Sequence, residues 1–462
     1  MWGIILQRHS EITLARQIYQ ALRKQMLKGC LQPGDMLPST RELAKELSIS
    51  RNTAYESYEM LAAEGYIVSR QGAPTRVAEG LILKNSELIN QQAAIEKIDS
   101  TVNYRADFRT GLPDLRHFPQ QRWLQLIHQA SEKLGLEHWG YTEPEGLPVL
   151  REQISAWLLR SRGLVVAPQE IFITAGATHA LHILAELLST KKRQELIIED
   201  PCHMGMLRVL QKNNFRVKPV PVDAQGLQTN ALTNSDACAV YVTPSHQFPL
   251  GGILPAGRRT ALVRFAQEQD LYLIEDDYDS EFRYIGSPVA PLYTLDPQRV
   301  IYVGTFSKIL FPALRIGYII LPRSLQPLWC QLRLYTDVQN PPFAQAALAE
   351  FLSTRKLDRH IQTMRRIYGQ RRKFLLETLA EKFGNCWQPW GDAAGLHIAL
   401  EFPGRRFDQD FAYHCQLHGI RITTVDYHSI MKGKHLGKIL LGYGHLEPQE
   451  IKHGISLLAE QM

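Results

Sequence analysis

Val303-Gly-Thr-Phe-Ser-Lys308-Ile-Leu-Phe-Pro-Ala-Leu-Arg315-Ile-Gly-Tyr318 is the most informative stretch of the chain. The apolar run Val300–Val303 reads as a buried strand. It leads into a small polar turn carrying Lys308, and seven residues later Arg315 stands between apolar neighbours. A lysine amine condenses with an aldehyde to an imine, and a phosphate group calls for hydroxyls and a fixed cation. Thr305, Ser307 and Arg315 can supply the latter set. A lone lysine at a strand end is ordinarily a surface residue, but that reading leaves Arg315 unexplained.

Upstream segments add to this set. Ile274-Glu-Asp276-Asp-Tyr278 puts carboxylates and a phenol at the end of an apolar strand. Ligands of α/β sheets gather at that edge. One carboxylate can hold a protonated ring nitrogen, and the phenol can donate to a ring oxygen. Ile173-Thr-Ala-Gly176-Ala177-Thr178 runs from a strand through glycine into a helix, whose exposed amides suit a phosphate. Tyr241-Val-Thr-Pro244-Ser-His246 forms another strand-end loop, with His246 read as structural. Ile171–Thr174, Leu196–Glu199, Ala239–Thr243, Leu271–Ile274 and Val300–Val303 alternate with amphipathic stretches such as Gly257–Gln269. This alternation predicts an α/β unit with a mostly parallel central sheet covered by helices.

Residues 1–78 have a different texture. Leu14, Ile18, Leu22 and Met26 make the apolar stripe of one helix, stopped by Gly29 and the turn Gln32-Pro33-Gly34-Asp35. Ser39-Thr-Arg-Glu42 is a capping box for a second helix. Ser48-Ile49-Ser50 is a tight turn, with Ser50 capping a third helix whose inner face is Ala54, Tyr58 and Leu61. Tyr66–Val68 and Thr75–Val77 flank Arg70–Pro74 as a hairpin wing. Two helices joined by a short turn suit the DNA major groove, with Arg51 on phosphate and Asn52 and Tyr55 towards base edges. The segment carries ten Lys/Arg and seven Asp/Glu, half of the chain's excess charge in about a sixth of its length. A small helical interaction domain is the plainer reading of the same pattern.

The chain has 462 residues, with 45% hydrophobic and 21% charged residues and a formal charge of +6, which excludes a largely disordered chain. Six cysteines without a CxxC pair argue against a disulfide scaffold and against zinc, and no metal site is expected. No apolar run is long enough to span a membrane, and the apolar patch after Met1 is too short for a signal-peptide core. A reduced, cytoplasmic protein is expected. The organisation read from these features is 1–78 as a winged module, 79–103 as a linker with a weak helix over Glu87–Lys97, and 104–462 as the α/β unit.

Leu37-Pro-Ser-Thr-Arg-Glu-Leu-Ala44, Leu47-Ser-Ile-Ser-Arg-Asn-Thr53 and Leu61-Ala-Ala-Glu-Gly-Tyr66 resemble the winged DNA-binding domain of the GntR family. That resemblance implies DNA contacts at Arg41, Ser50, Arg51, Thr53 and the wing residue Gly72. The later segments resemble fold-type I aminotransferases. They include Phe108–Asp114, Tyr141–Arg151, Thr243–Pro249, Glu275–Phe282, Arg359–Tyr368 and Gly395–His397. The combination resembles the MocR (GabR-like) branch of GntR regulators. It implies pyridoxal 5'-phosphate as cofactor, with Lys308 as imine lysine, Asp276 on the ring nitrogen and Tyr278 on the ring hydroxyl. Thr305, Ser307, Arg315 and the Gly176, Ala177 and Thr178 amides would serve the phosphate, and Tyr141 would reach the phosphate of a neighbouring subunit in a homodimer.

Two departures from the family pattern stand out. A Gly-Tyr pair usually follows Asp-Pro or Asn-Pro, but here Asp200-Pro201 precedes Cys202-His203, leaving His203 to stack on the cofactor. An arginine that grips a substrate α-carboxylate often precedes Leu-Gly-Phe, but here Lys438-Ile-Leu440-Leu-Gly-Tyr443 places Leu440 there. Lys438 and His435 lack the planar fork of arginine. The resemblance therefore implies a regulator that binds operator DNA and senses an amino compound or pyridoxal 5'-phosphate, with Leu440 favouring the latter. A working aminotransferase with a fused DNA-binding domain is the alternative.

Overall fold

The computed structural model describes residues 4, 6–8, 10–69, 73–80, 104–190, 193–287, 289–391 and 393–462. The chain divides into two units, Met1–Thr101 and Val102–Met462. The expected helix Glu87–Lys97 and the wing residue Gly72 lie outside the described residues.

The first unit contains α1 (Leu14–Leu27), α2 (Thr40–Glu46) and α3 (Arg51–Ala63). Ile18, Leu22 and Met26 of α1 are fully buried against Leu43, Ala54 and Leu61. Each such aliphatic side chain contributes about 1.5–3 kcal/mol by leaving water. Leu14, the first residue of the expected stripe, stays only half-buried. The capping box forms as read: Ser39 accepts from the Glu42 amide, and Glu42 accepts from the Ser39 amide at 2.8 Å. Ser48, at φ 52, turns the chain between α2 and α3. Strands β1 (Ile67–Val68) and β2 (Arg76–Val77) pair antiparallel through Ile67 and Val77.

The second unit begins with β3 (Ala106–Asp107) and is built on eight further strands. These are β4 (Ile171–Thr174), β5 (Glu195–Asp200), β6 (Arg216–Asp223), β7 (Gly226–Leu227), β8 (Ala237–Val242), β9 (Tyr272–Asp277), β10 (Val300–Thr305) and β11 (Gly317–Ile320). Their spatial order is β4-β11-β10-β9-β8-β5-β6-β7. The pairs from β10 through β9, β8 and β5 to β6 are parallel, whereas β11 runs antiparallel to both β10 and β4. The connection from β10 to β11 is too short for a parallel crossover, so the chain doubles back. Strand residues alternate between two cores. Ile197, Val240 and Leu273 enter one, and Ile198, Tyr241 and Ile274 enter the other.

Strands β9 and β10 run beyond the apolar residues that mark them in the sequence, because Asp276 and Asp277 pair in register with Val303 and Gly304. A smaller sheet holds β12 (Gln388–Trp390), β13 (His397–Glu401), β15 (Thr423–Thr424) and β16 (Lys438–Gly442), while β14 (Ile420–Arg421) pairs with β3. Among the described residues, no helix is long and apolar enough to cross a membrane.

Candidate functional site

Alternation along β9 separates two neighbouring carboxylates. Asp277 points to the face of Leu273 and meets Arg162 Nη2 at 2.6 Å. Asp276 points to the face of Ile274, where the Tyr241 hydroxyl donates to its Oδ2 at 2.6 Å. Its Oδ1 is buried without a partner among the described residues. Burial pushes the Asp276 carboxyl up to about 6, with Asp277 and Asp279 adding to the rise and Tyr241 and Lys308 opposing it. An unsatisfied buried polar atom costs about 1–3 kcal/mol. A cationic N–H placed at Oδ1 would offset that cost.

Asp276 lines a cavity of about 240 Å³, together with Ala177, Thr178, His203, Tyr278, Thr305, Ser307, Lys308 and Arg315. Lys308 sits just past β10, and its Nζ donates to the Gly111 carbonyl at 2.8 Å. Burial holds this amine below its ordinary value, against the pull of Asp279 and Asp276. A desolvated lysine with a lowered pKa is a better nucleophile. The Thr305 and Ser307 hydroxyls lie 3.1 Å apart in the turn before it.

Arg315 adopts a left-handed backbone, φ 51, which turns its side chain back to the start of the helix Ala177–Ser189. No hydrogen bond or ion pair engages its guanidinium among the described residues. A Cβ at Gly176, itself at φ 92, would stand 3.3 Å from Arg315 Nη1, so glycine permits this approach. The free cation, the helix amides and two hydroxyls form a cradle for an anion.

The Tyr278 hydroxyl lies 2.9 Å from His246 Nδ1, which also faces Asp279 Oδ1 at 2.9 Å. An Nδ1–H shared by Asp279 and the phenol oxygen leaves the phenol proton free to enter the cavity. The His203 ring packs edge-on against Phe248, with centroids 5.5 Å apart. Burial, with the Lys308 charge, lowers His203 to about 4, so it is neutral near pH 7. Tyr141 is 88% exposed and lines no part of this cavity in its own chain.

Leu440 pairs with Ala399, two register positions from the pair formed by His397 and Gly442. His397 lines the cavity, whereas Leu440 is fully buried against Val222, Leu250, Ala399 and Val425. Lys438 is held by Glu401 at 3.1 Å.

Tyr241, Gly111 and His397 belong to this cavity although their motifs suggested no role for them. Tyr241 has no helical or alternating spacing to Asp276. Only the register that pairs it with Ile274 brings the two together. His397 is neutral, lowered to about 3 chiefly by burial and then by His246, and it donates from Nε2 to the Pro249 carbonyl at 3.1 Å.

In the first unit, Arg41, Ser50 and Arg51 are exposed and Thr53 is half-buried. Ser50 Oγ accepts from the Thr53 amide at 3.0 Å and lies 2.8 Å from Thr53 Oγ1. The two hydroxyls thus fix the start of α3, whose first turn holds Arg51 and no acidic residue. Positive helix dipole and guanidinium coincide there, which suits a phosphate. Tyr55 stands 57% exposed one turn further along.

Residues 14–77 match the family model for bacterial regulatory proteins of the GntR family, and residues 108–432 match that for aminotransferase class I and II. The chain is 31% identical to the probable rhizopine catabolism regulatory protein MocR of Rhizobium meliloti, over 98% of this chain and 95% of that protein. The chain belongs to the MocR branch of the GntR regulators. An HTH-type pyridoxine biosynthesis transcriptional regulator, PdxR of Corynebacterium glutamicum, is 35% identical over 86% of this chain and 85% of its own length. An archaeal alanine:glyoxylate aminotransferase superposes with a TM-score of 0.70 at 25% identity, over 77% of this chain and 90% of that one.

This MocR-type chain is a DNA-binding transcriptional regulator, and pyridoxal 5'-phosphate is the cofactor of its aminotransferase fold. The donor set fits that group. Asp276 Oδ1 lacks the cation that a protonated ring nitrogen would supply, and Arg315 lacks the anion that a phosphate would supply.

The raised Asp276 value carries a pH dependence. Its charged form is disfavoured by folding, so the penalty is absent below the ordinary value of 3.8 and complete above about 6. Wild-type apoprotein is expected to lose stability relative to Asp276→Asn as pH rises from about 4 to about 6. Chemical denaturation across that window checks this, and a constant difference between the two proteins would contradict it.

Proposed function

We propose that this regulator couples operator binding in residues 1–78 to the state of the cofactor cavity in residues 104–462, with 79–103 as the linker. The carrying observation is the cation content of the cavity. Arg315 is the one arginine among its described lining residues, and it stands beside the helix start where a phosphate would bind. Once it is engaged, no guanidinium of this lining remains for an α-carboxylate. Leu440, packed among apolar side chains, cannot supply that function.

Lys308 would hold the cofactor covalently, and Asp276 would hold its ring nitrogen. Tyr241 orients Asp276 through its hydroxyl. Tyr278 would serve the ring hydroxyl, and His203 would line the ring's site. Thr305, Ser307, Arg315 and the amides from Gly176 to Thr178 would hold the phosphate. When bound, the cofactor supplies an electrophilic carbon and an electron-withdrawing ring. Borohydride treatment of the holoprotein is expected to leave the pyridoxyl group on the peptide carrying Lys308, read by mass spectrometry. Labelling at another lysine would refute this assignment, as would an unchanged visible spectrum in Lys308→Ala.

The effector is pyridoxal 5'-phosphate itself. An effector shifts a regulator only through different affinities for its DNA-binding and released arrangements. Operator affinity is therefore expected to change on titration of apoprotein with pyridoxal 5'-phosphate and to stay constant across a panel of α-amino acids added to holoprotein. Rapid turnover of one of those amino acids would return the aminotransferase reading to first place, which the complete cofactor set also supports.

Operator contacts come from Arg41, Ser50, Arg51, Thr53 and Gly72, in the cytoplasm. Arg51→Ala is expected to abolish specific binding in a band-shift assay while cofactor absorbance is retained. Protection of the operator at full affinity would displace the recognition helix from α3.

The working form is a homodimer, with Tyr141 crossing to the partner's cofactor phosphate. Leu136, Trp139 and Tyr141 stand 88%, 65% and 88% exposed in one short segment, a surface that calls for a partner. Two winged modules would then read two half-sites. Sedimentation of holoprotein at micromolar concentration is expected to show a dimer, and a monomer would refute this.

A further inference from the structure

The stretch Arg359–Tyr368 takes no part in the cofactor cavity, yet it walls a second one. This cavity, of about 640 Å³, opens between the end of the helix Pro148–Arg162, the segment after β9 and the first turns of the helix Lys356–Phe383. Six arginines line it: Arg160, Arg162, Arg283, Arg355, Arg359 and Arg365.

Few of these guanidinium groups are satisfied. Arg160 and Arg355 share one carboxylate, Asp358, at 3.6 and 3.4 Å. Arg365 Nε donates to the Glu281 carbonyl at 2.9 Å. Arg359 has no side-chain hydrogen bond or ion pair among the described residues. Arg162 reaches Asp277 with Nη2, but its Nε is buried without a partner, and its side chain is only 4% exposed.

Arg283 Nε, Ser280 Oγ, Glu281 Oε2 and Trp157 Nε1 are also buried and unpartnered among the described residues, so with Arg162 Nε five orphaned polar atoms belong to residues of this one cavity's wall. Buried polar groups in folded proteins find partners, and a cluster of orphans around a void marks a missing one. Burial beside Asp277 pushes Glu281 up to about 8, so near neutral pH it is mainly protonated and adds little repulsion towards an anion.

We propose that this cavity is a second anion site, separate from the cofactor cavity, that takes a small phosphorylated molecule with two or more negative charges. Guanidinium forks match phosphate oxygens in pairs, and their fixed charge favours multiply charged ligands. The recess argues for a small molecule over duplex DNA, because Arg162 is too deep for a helix backbone to touch. The two cavities lie on opposite faces of β9, one against Asp276 and the other behind Asp277 through Arg162.

The test is calorimetric titration of full-length holoprotein with pyrophosphate, the cofactor's own phosphate site being already filled. One saturable site per chain is expected. Arg359→Gln, an exposed position, should weaken it several-fold, and Arg283→Gln with Arg359→Gln should weaken it at least tenfold, with the visible spectrum of the bound cofactor unchanged. No saturable uptake would overturn the proposal, as would equal uptake by wild type and both variants. If these variants weaken operator DNA binding while pyrophosphate fails to bind, the surface is a nucleic-acid contact and the small-anion site is wrong.

Discussion

A carboxylate buried at the end of a strand needs a positive partner or must give up its charge. The second unit meets that constraint twice, at adjacent residues, in two different ways. Asp277 receives Arg162 from the same chain. Asp276, like Asp277, receives one phenolic hydroxyl and keeps Oδ1 without a partner among the described residues, but no cation contacts it. The strand's alternation sends the two to opposite faces, so satisfying one cannot satisfy the other. The protein thus holds one acid internally balanced and leaves the other to be balanced by a ligand, and the cofactor cavity forms on the unbalanced side.

The same logic orders the rest of the cavity. Among the described residues, Lys308, Arg315 and Asp276 each keep unmet capacity: a lysine with a lowered pKa, a guanidinium without an anion and a carboxylate without a contacting cation. A single molecule carrying an aldehyde, a phosphate and a basic ring nitrogen answers all three. Binding energy from three separate deficits is concentrated on one ligand. Leu440 shows the complementary choice. Its side chain is dry and packed among apolar neighbours of the small sheet, so it offers no charge to a carboxylate.

Much of this was legible along the chain because the relevant spacings are local. The capping box from Ser39 to Glu42, the Ser50 cap and the run from Thr305 through Lys308 to Arg315 each lie within a few residues, and backbone geometry over such distances follows from residue type. The strand runs were legible as apolar cores, but their ends were not, since Asp276 and Asp277 extend β9 only because β10 is there to pair with them. Tyr241, Gly111 and His397 escaped notice for a related reason. They come from segments far apart in sequence, and no periodicity links a tyrosine on one strand to a carboxylate on the next.

Residue order alone determined that this chain carries a winged DNA-binding module and a lysine–arginine pair set after a buried strand, because helix caps, turns and hydrophobic period act within a few residues. The folded arrangement alone decided which charges are balanced. Whether Asp276, Asp277, Arg315 or Arg162 ends with a partner depends on register, on the face each residue takes and on how deeply water is excluded. Those quantities exist only once the strands and helices have been packed together.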